Sequence, residues 1–395
     1  MTGHRPMASA RARPFRADDE MFVRGLRRQS FTAPLDVELW SRHGHVLEHD
    51  GTRVAALLAR RVAQWVGGRS VPCVAISSVM VDLPRRGGGV MAELLGPVLR
   101  RHADGGAAIS TLTPSAMAPY RRAGYEVAGH RFRFHAASRS LRLGAERDDI
   151  RWFQPGDVDR LAEIYDGFAR RGNGPIHRDR QWWHSHILPR VRSGETFAIV
   201  AERDGEPTGY ALWDQVEAPR PGEPAYLHRV RAREIVWSTV SAAHALLHAL
   251  ARAGSPGEEI SWIGSPSDGM AGFFDDPVLV DWARPWMTKI LDLPAALSAR
   301  GYSTALDLSV VLGINDAGIA RTLRLAVRGG RAHTEEVTVA PHVTMDASSF
   351  ASIFTGRSTG REAQALGRLQ AVSPEVVERL DALFAGPTPW LFEHF

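Results

Sequence analysis

Residues 79–91 read Val-Met-Val-Asp-Leu-Pro-Arg-Arg-Gly-Gly-Gly-Val-Met. A strand ends at Val81. Arg85 and Arg86 then lead into Gly87, Gly88 and Gly89, and from Val90 the residues Leu94, Leu95, Val98 and Leu99 fall on one face of a helix. A strand that breaks through glycines into an amphipathic helix commits this part of the chain to a mixed α/β fold. The junction also has a chemistry. Glycines let the backbone turn and bring its amides near an anion, and a helix N-terminus presents unpaired N–H groups with a partial positive charge. Arg85 and Arg86 can add charge-assisted bonds to phosphate. The strand edge at Val79 and Val81 can pair with an amide-bearing ligand arm. The spacing is not that of a dinucleotide fingerprint, and the Gly-Lys-Ser/Thr of a nucleotide loop is absent. On spacing alone, an anion cradle and an ordinary strand–helix loop both fit.

The rest of the chain divides into three stretches. In the first, Arg13 to Arg16 suits a short strand, Asp18 can cap a helix running to about Gln29, and a second helical stretch holds Leu35, Leu39 and Trp40. Strands follow at 45–49, 54–66 and 71–81, with turns at Asp50-Gly51 and Gly67-Gly68. After the glycine loop and its helix come a strand at 107–112, a short helix at 117–122 and strands to about Phe134. The charged run at 144–149 lacks a core pattern and marks a boundary. The second stretch starts with a strand at 150–153 and a helix at 158–168. It continues with a hairpin at 197–216, a strand at 226–236, a helix at 238–253 and a strand at 260–263. That order resembles the first stretch and suggests a structural repeat without sequence identity. From about Gly301, strands at 305–312, 322–327, 334–339 and 342–345 precede helices at 346–354, 360–371 and 374–383. The tail from Pro389 to Phe395 is too apolar to lie in solvent and is expected to be buried. The expected domains are 1–145, 146–299 and 300–395, in keeping with 395 residues at about 100–150 per domain.

Composition excludes several classes. With 44% hydrophobic and 23% charged residues, including 11 Trp and 15 Phe, the chain can build cores and is not disordered. Lys289 is its one lysine, so the net charge of +4 rests on arginine. Those arginines are interleaved with acids rather than clustered, which argues against nucleic acid as a partner. No apolar run approaches the ~20 residues that cross a bilayer, and none at the start forms the apolar core of a signal peptide. A cytoplasmic protein with no membrane partner is the expectation. The lone Cys73 excludes an internal disulfide framework and a cysteine-rich metal site. His43 with His45, and His184 with His186, lack a third ligand nearby, so no metal is expected.

Thr113-Pro114-Ser115 and Pro119-Tyr120-Arg121-Arg122-Ala123-Gly124-Tyr125 follow the next strand. Together with Arg86-x-x-Gly89-x-Met91, they resemble the GNAT acetyltransferases, although Met91 stands where a small residue is usual. More specifically, the chain resembles the Eis (enhanced intracellular survival) family of aminoglycoside N-acetyltransferases. Val79, Val81, Arg86 and Gly89 fall on that family's loop pattern, whereas Leu83, Gly87 and Gly88 depart from it. Ser115 and Tyr120 keep its spacing. Ser30-Phe31-Thr32 and Trp40 resemble its first helices, and the run from Asp292 to Tyr302 resembles the start of its third domain.

The resemblance implies two tandem GNAT-like domains followed by a sterol-carrier-like α/β domain, assembled as a homo-oligomer and typically a hexamer. Only the first domain would bind acetyl-CoA, the co-substrate, through Val79, Val81, Arg85, Arg86, Gly87, Gly88, Gly89, Val90 and Ser115. The strand–helix junction at Trp237-Ser238-Thr239-Val240 has no glycine loop, in keeping with that. Tyr120 would be the acid for the departing thiolate, and the α-carboxylate of Phe395 the base. A core tyrosine and a tail packed only on its own domain remain the alternatives. Trp40, Asp36 and Glu393 are the candidates for binding the acceptor amine. The family's acidic positions are Ala33, Ala116 and His394 here, which weakens the case for a polycationic acceptor. The implied activity is acetyl transfer to an amine of a small molecule such as an aminoglycoside. Another natural-product amine, a protein lysine, a longer acyl donor, or a non-catalytic scaffold for an apolar ligand would also suit the sequence.

Overall fold

The computed structural model describes residues 10–31, 34–142, 144, 147–217, 227–255 and 258–393. The first stretch runs β1 (Ala10–Pro14), α1 (Glu20–Ser30), α2 (Val37–His43), β2 (Gly44–His49), β3 (Thr52–Val66), β4 (Arg69–Val81), α3 (Val90–Asp104), β5 (Ile109–Leu112), α4 (Met117–Arg122) and β6 (Glu126–Ala137). The two predicted hairpins form. Asp50-Gly51 and Gly67-Gly68 all take positive φ, the requirement of a tight two-residue turn that matches strand twist. The start of α1 differs from expectation. Asp18 pairs with Arg53 at 2.6 Å, while the fully buried Asp19 accepts the amide of Arg16 at 2.7 Å and bonds Arg13 through both oxygens. Two cationic partners and a backbone amide satisfy Asp19, which explains its burial.

The second stretch holds β7 (Asp149–Trp152), α5 (Val158–Ala169), β8 (Ile176–His177), α6 (Arg180–Trp182), α7 (Leu188–Arg192), β9 (Phe197–Arg203), β10 (Glu206–Glu217), β11 (His228–Trp237), α8 (Val240–Ala253), β12 (Glu259–Gly264) and β13 (Leu279–Ile290). The suspected repeat is visible in topology. β4 and β5 are parallel and joined through α3, and β11 and β12 are parallel and joined through α8. The third stretch holds α9 (Leu293–Ala299), β14 (Asp307–Asp316), β15 (Ile319–Arg328), β16 (Arg331–Glu336), β17 (Val343–Asp346), α10 (Ala347–Thr355), α11 (Gly360–Ala365), β18 (Leu369–Ala371) and α12 (Pro374–Phe384). The helix expected over 360–371 is therefore shorter. It stops at Ala365, and β18 pairs with β17.

Strand β13 was not legible as a strand. It carries Pro285 at its middle and the charged Asp281, Arg284 and Lys289. It nevertheless lies between β5 and β6 and pairs antiparallel with both, so one sheet runs β1-β2-β3-β4-β5-β13-β6-β12-β11-β10-β9-β7, with β8 on β3. The last stretch forms its own sheet, β16-β15-β14-β17-β18.

The interior is shared in the same way. Val90, Leu94, Leu95, Val98 and Leu99 of α3 pack on Leu57, Ala59, Val74 and Ile76 of the sheet. Val66, Val71, Cys73 and Ile109 pack instead with Phe350, Phe354 and Leu380 of the third stretch. Trp390 and Phe392 of the tail join the core of the second stretch beside Phe168 and Trp237. Each such side chain taken from water contributes about 1.5–3 kcal/mol, so the tail's burial is favourable through Phe392.

Candidate functional site

The site begins with an irregularity in β4. Ala56 pairs with Met80 and Leu58 with Ser77, so Leu57 faces two residues, Ser78 and Val79. Ser78 takes φ +47. This bulge inverts the strand's alternation. Val74 and Ile76 face α3 before it, whereas Met80 after it joins Trp40, Phe15 and Leu26 on the opposite face. Val79 and Val81 are thereby turned toward the α3 side, where both are partly buried. β5 ends its pairing at Ile76–Leu112, and β4 continues to Val81 without it. The sheet is open between these two parallel strands, and an extended ligand arm could pair there.

Directly beyond the open edge, residues 83–89 are exposed. Gly87 and Gly89 take φ +85 and +84, and an added Cβ at either would meet nothing within 4 Å. Gly89 is the N-cap of α3 and offers no side chain to it. From Gly87 to Met91 the backbone amides find no acceptor among the described residues. Arg86 lies back on the strand, bonding the carbonyl of Val81 at 3.0 Å and Ser30 Oγ at 3.3 Å, and leaves Arg85 exposed at the lip. Open space, free amides, a helix N-terminus and an arginine suit a phosphate-bearing substrate such as a CoA thioester. Ser115 is exposed past the end of β5.

Tyr120 on α4 is a member of the α3-side core, 8% exposed and edge-on to Tyr125 at 6.1 Å. Tyr125 is the structural tyrosine of the pair: fully buried, it bonds Ser110 Oγ at 2.6 Å. The Tyr120 hydroxyl has no hydrogen bond among the described residues, nor is it one of their sealed, unpartnered atoms. Burial raises its pKa above the ordinary tyrosine value, which keeps the proton on the oxygen. The residue thus combines a packed ring with a protonated hydroxyl that bonds nothing among the described residues.

A cavity of about 1280 Å³ lies on the other face of the sheet. α2, β3, the segment 177–190, β11 and the tail all contribute to it. Asp36 and Glu393, two of the three acceptor-site candidates, line it together. Asp36 also caps α2, accepting the amide of Leu39 at 3.0 Å. Glu393 is committed through Oε1 to Arg178 at 2.7 Å, while its Oε2 is buried without a partner. Trp40 corrects the third expectation. It is 1% exposed, sealed in the cluster of Phe15, Val23, Leu26 and Met80, and is not part of the cavity wall. The helical period that puts Leu39 and His43 on the wall turns Trp40 inward. Phe395 and His394 lie outside the described residues. The cavity wall does not include Val79, the glycine loop, Ser115 or Tyr120. The sequence reading missed Arg60, Arg131, Trp182 and His186 on the wall. Arg60 had a usable signal, because it follows Ala56 and Leu58 on the same face of β3.

The second stretch lacks an equivalent loop. Thr239 caps α8 by accepting the amide of Ala242 at 3.2 Å, and the buried carboxylate of Asp148 lies 3.5 Å from its hydroxyl. Where the N-terminus of α3 is open, that of α8 is closed by its own chain's oxygens.

An acetyltransferase (GNAT) domain family matches residues 13–128, a second acetyltransferase (GNAT) domain family matches 174–290, and a sterol carrier protein domain matches 293–392. The N-acetyltransferase Eis of Mycobacterium bovis is 28% identical over 341 residues, with 81% of this chain and 79% of that one covered. The chain carries two acetyltransferase (GNAT) domains and is similar to Eis along most of its length. An uncharacterized N-acetyltransferase of Streptomyces avermitilis is 27% identical, covering 84% of this Eis-like chain and 82% of its own. The crystal structure of a GCN5-related N-acetyltransferase from Anabaena variabilis shares the fold, with a TM-score of 0.86 at 21% identity and 98% and 100% of the two chains covered. The Eis-like chain is thus two GNAT domains followed by a sterol-carrier-like domain, and it is an N-acetyltransferase. No helix among the described residues is long and apolar enough to cross a membrane.

Proposed function

We propose that the chain transfers the acetyl group of acetyl-CoA to an amine of a small molecule. The observation that carries this reading is the open, amide-lined loop at Gly87–Gly89 beside the unpaired end of β4. The open edge at Val79 and Val81 suits the amide-bearing arm of the donor, and the loop with Arg85 suits its phosphates. Ser115 flanks them. The neutral amine attacks the thioester carbonyl, the carbon–sulfur bond breaks and an amide forms. Tyr120 would give its proton to the leaving thiolate, and the α-carboxylate of Phe395 would receive the amine's proton. The buried tail through Glu393 supports a terminus held inside the molecule. On this reading residues 1–145 carry the chemistry, residues 146–299 act as a framework, and residues 300–395 deliver the terminus. The resemblance puts an aminoglycoside first among acceptors and a hexamer first among assemblies.

The test is release of the CoA thiol from acetyl-CoA by untagged protein across aminoglycosides and other amines. Release with one or more amines supports the reading. Absence of release together with absence of calorimetric CoA binding would favour the scaffold reading.

A further inference from the structure

The cavity lined by Asp36 and Glu393, two of the candidates for binding the acceptor, is cationic. Its wall carries seven arginines against five carboxylates; Arg42, Arg178 and Arg233 pair with acids, and every carboxylate has a partner, although Oε2 of Glu393 is left without one. Asp36 and Asp179 accept the first-turn amides of Leu39 and Trp182 at 3.0 and 2.7 Å. Glu38 pairs with Arg42 at 2.5 Å, and Glu234 and Glu393 share Arg178 at 2.8 and 2.7 Å.

Arg60 has no such partner. It is 9% exposed, its Nε is buried without an acceptor, and no carboxylate pairs with it among the described residues. Its guanidinium lies 5.0 Å from the ring of Trp182, which stacks on His186 at 3.9 Å, and its Nη1 is 2.6 Å from His186 Nε2. His186 meets Arg60 as the neutral ring. Burial first, and then the charge of Arg60, hold its pKa at about 4. Nε2 therefore accepts from Arg60, and Nδ1–H faces Ser185 Oγ at 2.7 Å. A neutral acceptor orients the guanidinium without cancelling its charge. Arg131, on the same wall, spends Nε on the carbonyl of Phe392 at 2.8 Å, and its terminal nitrogens bond nothing among the described residues. The opposing charge that acts on both arginines is Glu393, which Arg178 holds through Oε1. A buried guanidinium without a counter-charge is costly, and an oxyanion with fork geometry relieves that cost.

We propose that the acceptor carries an oxyanion, a carboxylate or a phosphate, beside its amine, and that Arg60 and Arg131 hold it. This rests on the acetyl-transfer reading above but departs from the aminoglycoside that the resemblance puts first, because the same wall would repel a polycation.

Matched amines test the idea: amino acids against their amides, phosphoethanolamine against ethanolamine, and an aminoglycoside, each with acetyl-CoA and the untagged full chain. The expected result is a kcat/KM about tenfold or more higher for the anionic member of a pair. The carboxylate and phosphate pairs distinguish the two sources of the oxyanion. Arg60→Gln and Arg131→Gln should each abolish the preference, and Arg60→Lys should keep part of it, with melting checked for each variant. Equal use of the neutral members, or preference for the aminoglycoside, overturns the proposal. Calorimetric titration with inorganic phosphate and with the anionic amines, without acetyl-CoA, separates the two readings. Binding that Arg60→Gln weakens about tenfold, with no thiol release, upholds the cavity assignment and sinks acetyl transfer. Binding indifferent to Arg60, or none, overturns the cavity assignment itself.

Discussion

Arg178 and Glu393 meet at 2.7 Å although 215 residues separate them in the chain. Their side chains are 2% and 5% exposed. Arg178 also holds Glu234 through two bonds of 2.8 Å, and Tyr210 donates to that carboxylate at 2.8 Å. The tail is thereby fixed to the second domain two residues before Phe395. Removing one member of a buried ion pair costs about 3–5 kcal/mol, because the other charge is left buried alone. Arg178→Ala strands two carboxylates and should cost at least this much. Glu393→Gln leaves Glu234 in place and should cost clearly less. Denaturant unfolding of both variants checks the order; equal costs would show that the two carboxylates are not held by one cation.

Tyr120→Phe should lower turnover by about 100-fold, the usual range for loss of a general acid, with the melting temperature unchanged. The ring keeps its place against Tyr125 and α3, and the hydroxyl gives up no hydrogen bond among the described residues. Steady-state kinetics beside a thermal melt decide. A melt that falls with turnover would return Tyr120 to the core.

Gly89→Ala should weaken calorimetric CoA binding several-fold, whereas Gly88→Ala should not. The added methyl meets no atom within 4 Å at Gly89, so the penalty is conformational: φ there is +84. A left-handed residue with a Cβ costs about 1–2 kcal/mol. Gly88 is not among the positive-φ glycines.

Residues added after Phe395 should abolish thiol release, while an N-terminal tag leaves it intact. Glu393, two residues before Phe395 in the chain, is held in a buried ion pair. Full activity with a C-terminal extension would remove the Phe395 carboxylate from the mechanism.

Stability should fall as pH drops from about 6.5 toward 4. His45 and His186 are held near pKa 4, first by burial and then by neighbouring charge. In the unfolded chain each binds a proton below about 6.5. The unfolded state then holds more protons than the folded one, so acid favours unfolding. Asp268, raised to about 6 by burial, acts oppositely over part of that range. A melt against pH should therefore decline with acid and flatten in His45→Asn. A pH-independent melt would place these rings in contact with water.

The loop and its helix were legible because their signals are local: the glycine run, the arginines before it and the 3.6-residue period after it all lie within about two turns of chain. Hairpins declared themselves through Asp-Gly and Gly-Gly pairs. β13 could not be read this way. Its Pro285 and charges are tolerated because β5 and β6 supply its pairing from outside the segment. Trp40 illustrates the opposite failure, since the sequence names an aromatic near a site but not the face it occupies.

By itself, then, the sequence determined the strand–loop–helix junction, the three-part order of the chain and the apolar tail, because each follows from backbone propensity and from apolar spacing along neighbouring residues. Tertiary structure alone decided the insertion of β13, the seating of Glu393 on Arg178 and the cationic wall around Arg60. These depend on groups far apart in sequence meeting in a low-dielectric interior, where pairing or the lack of it sets the energy of a charge.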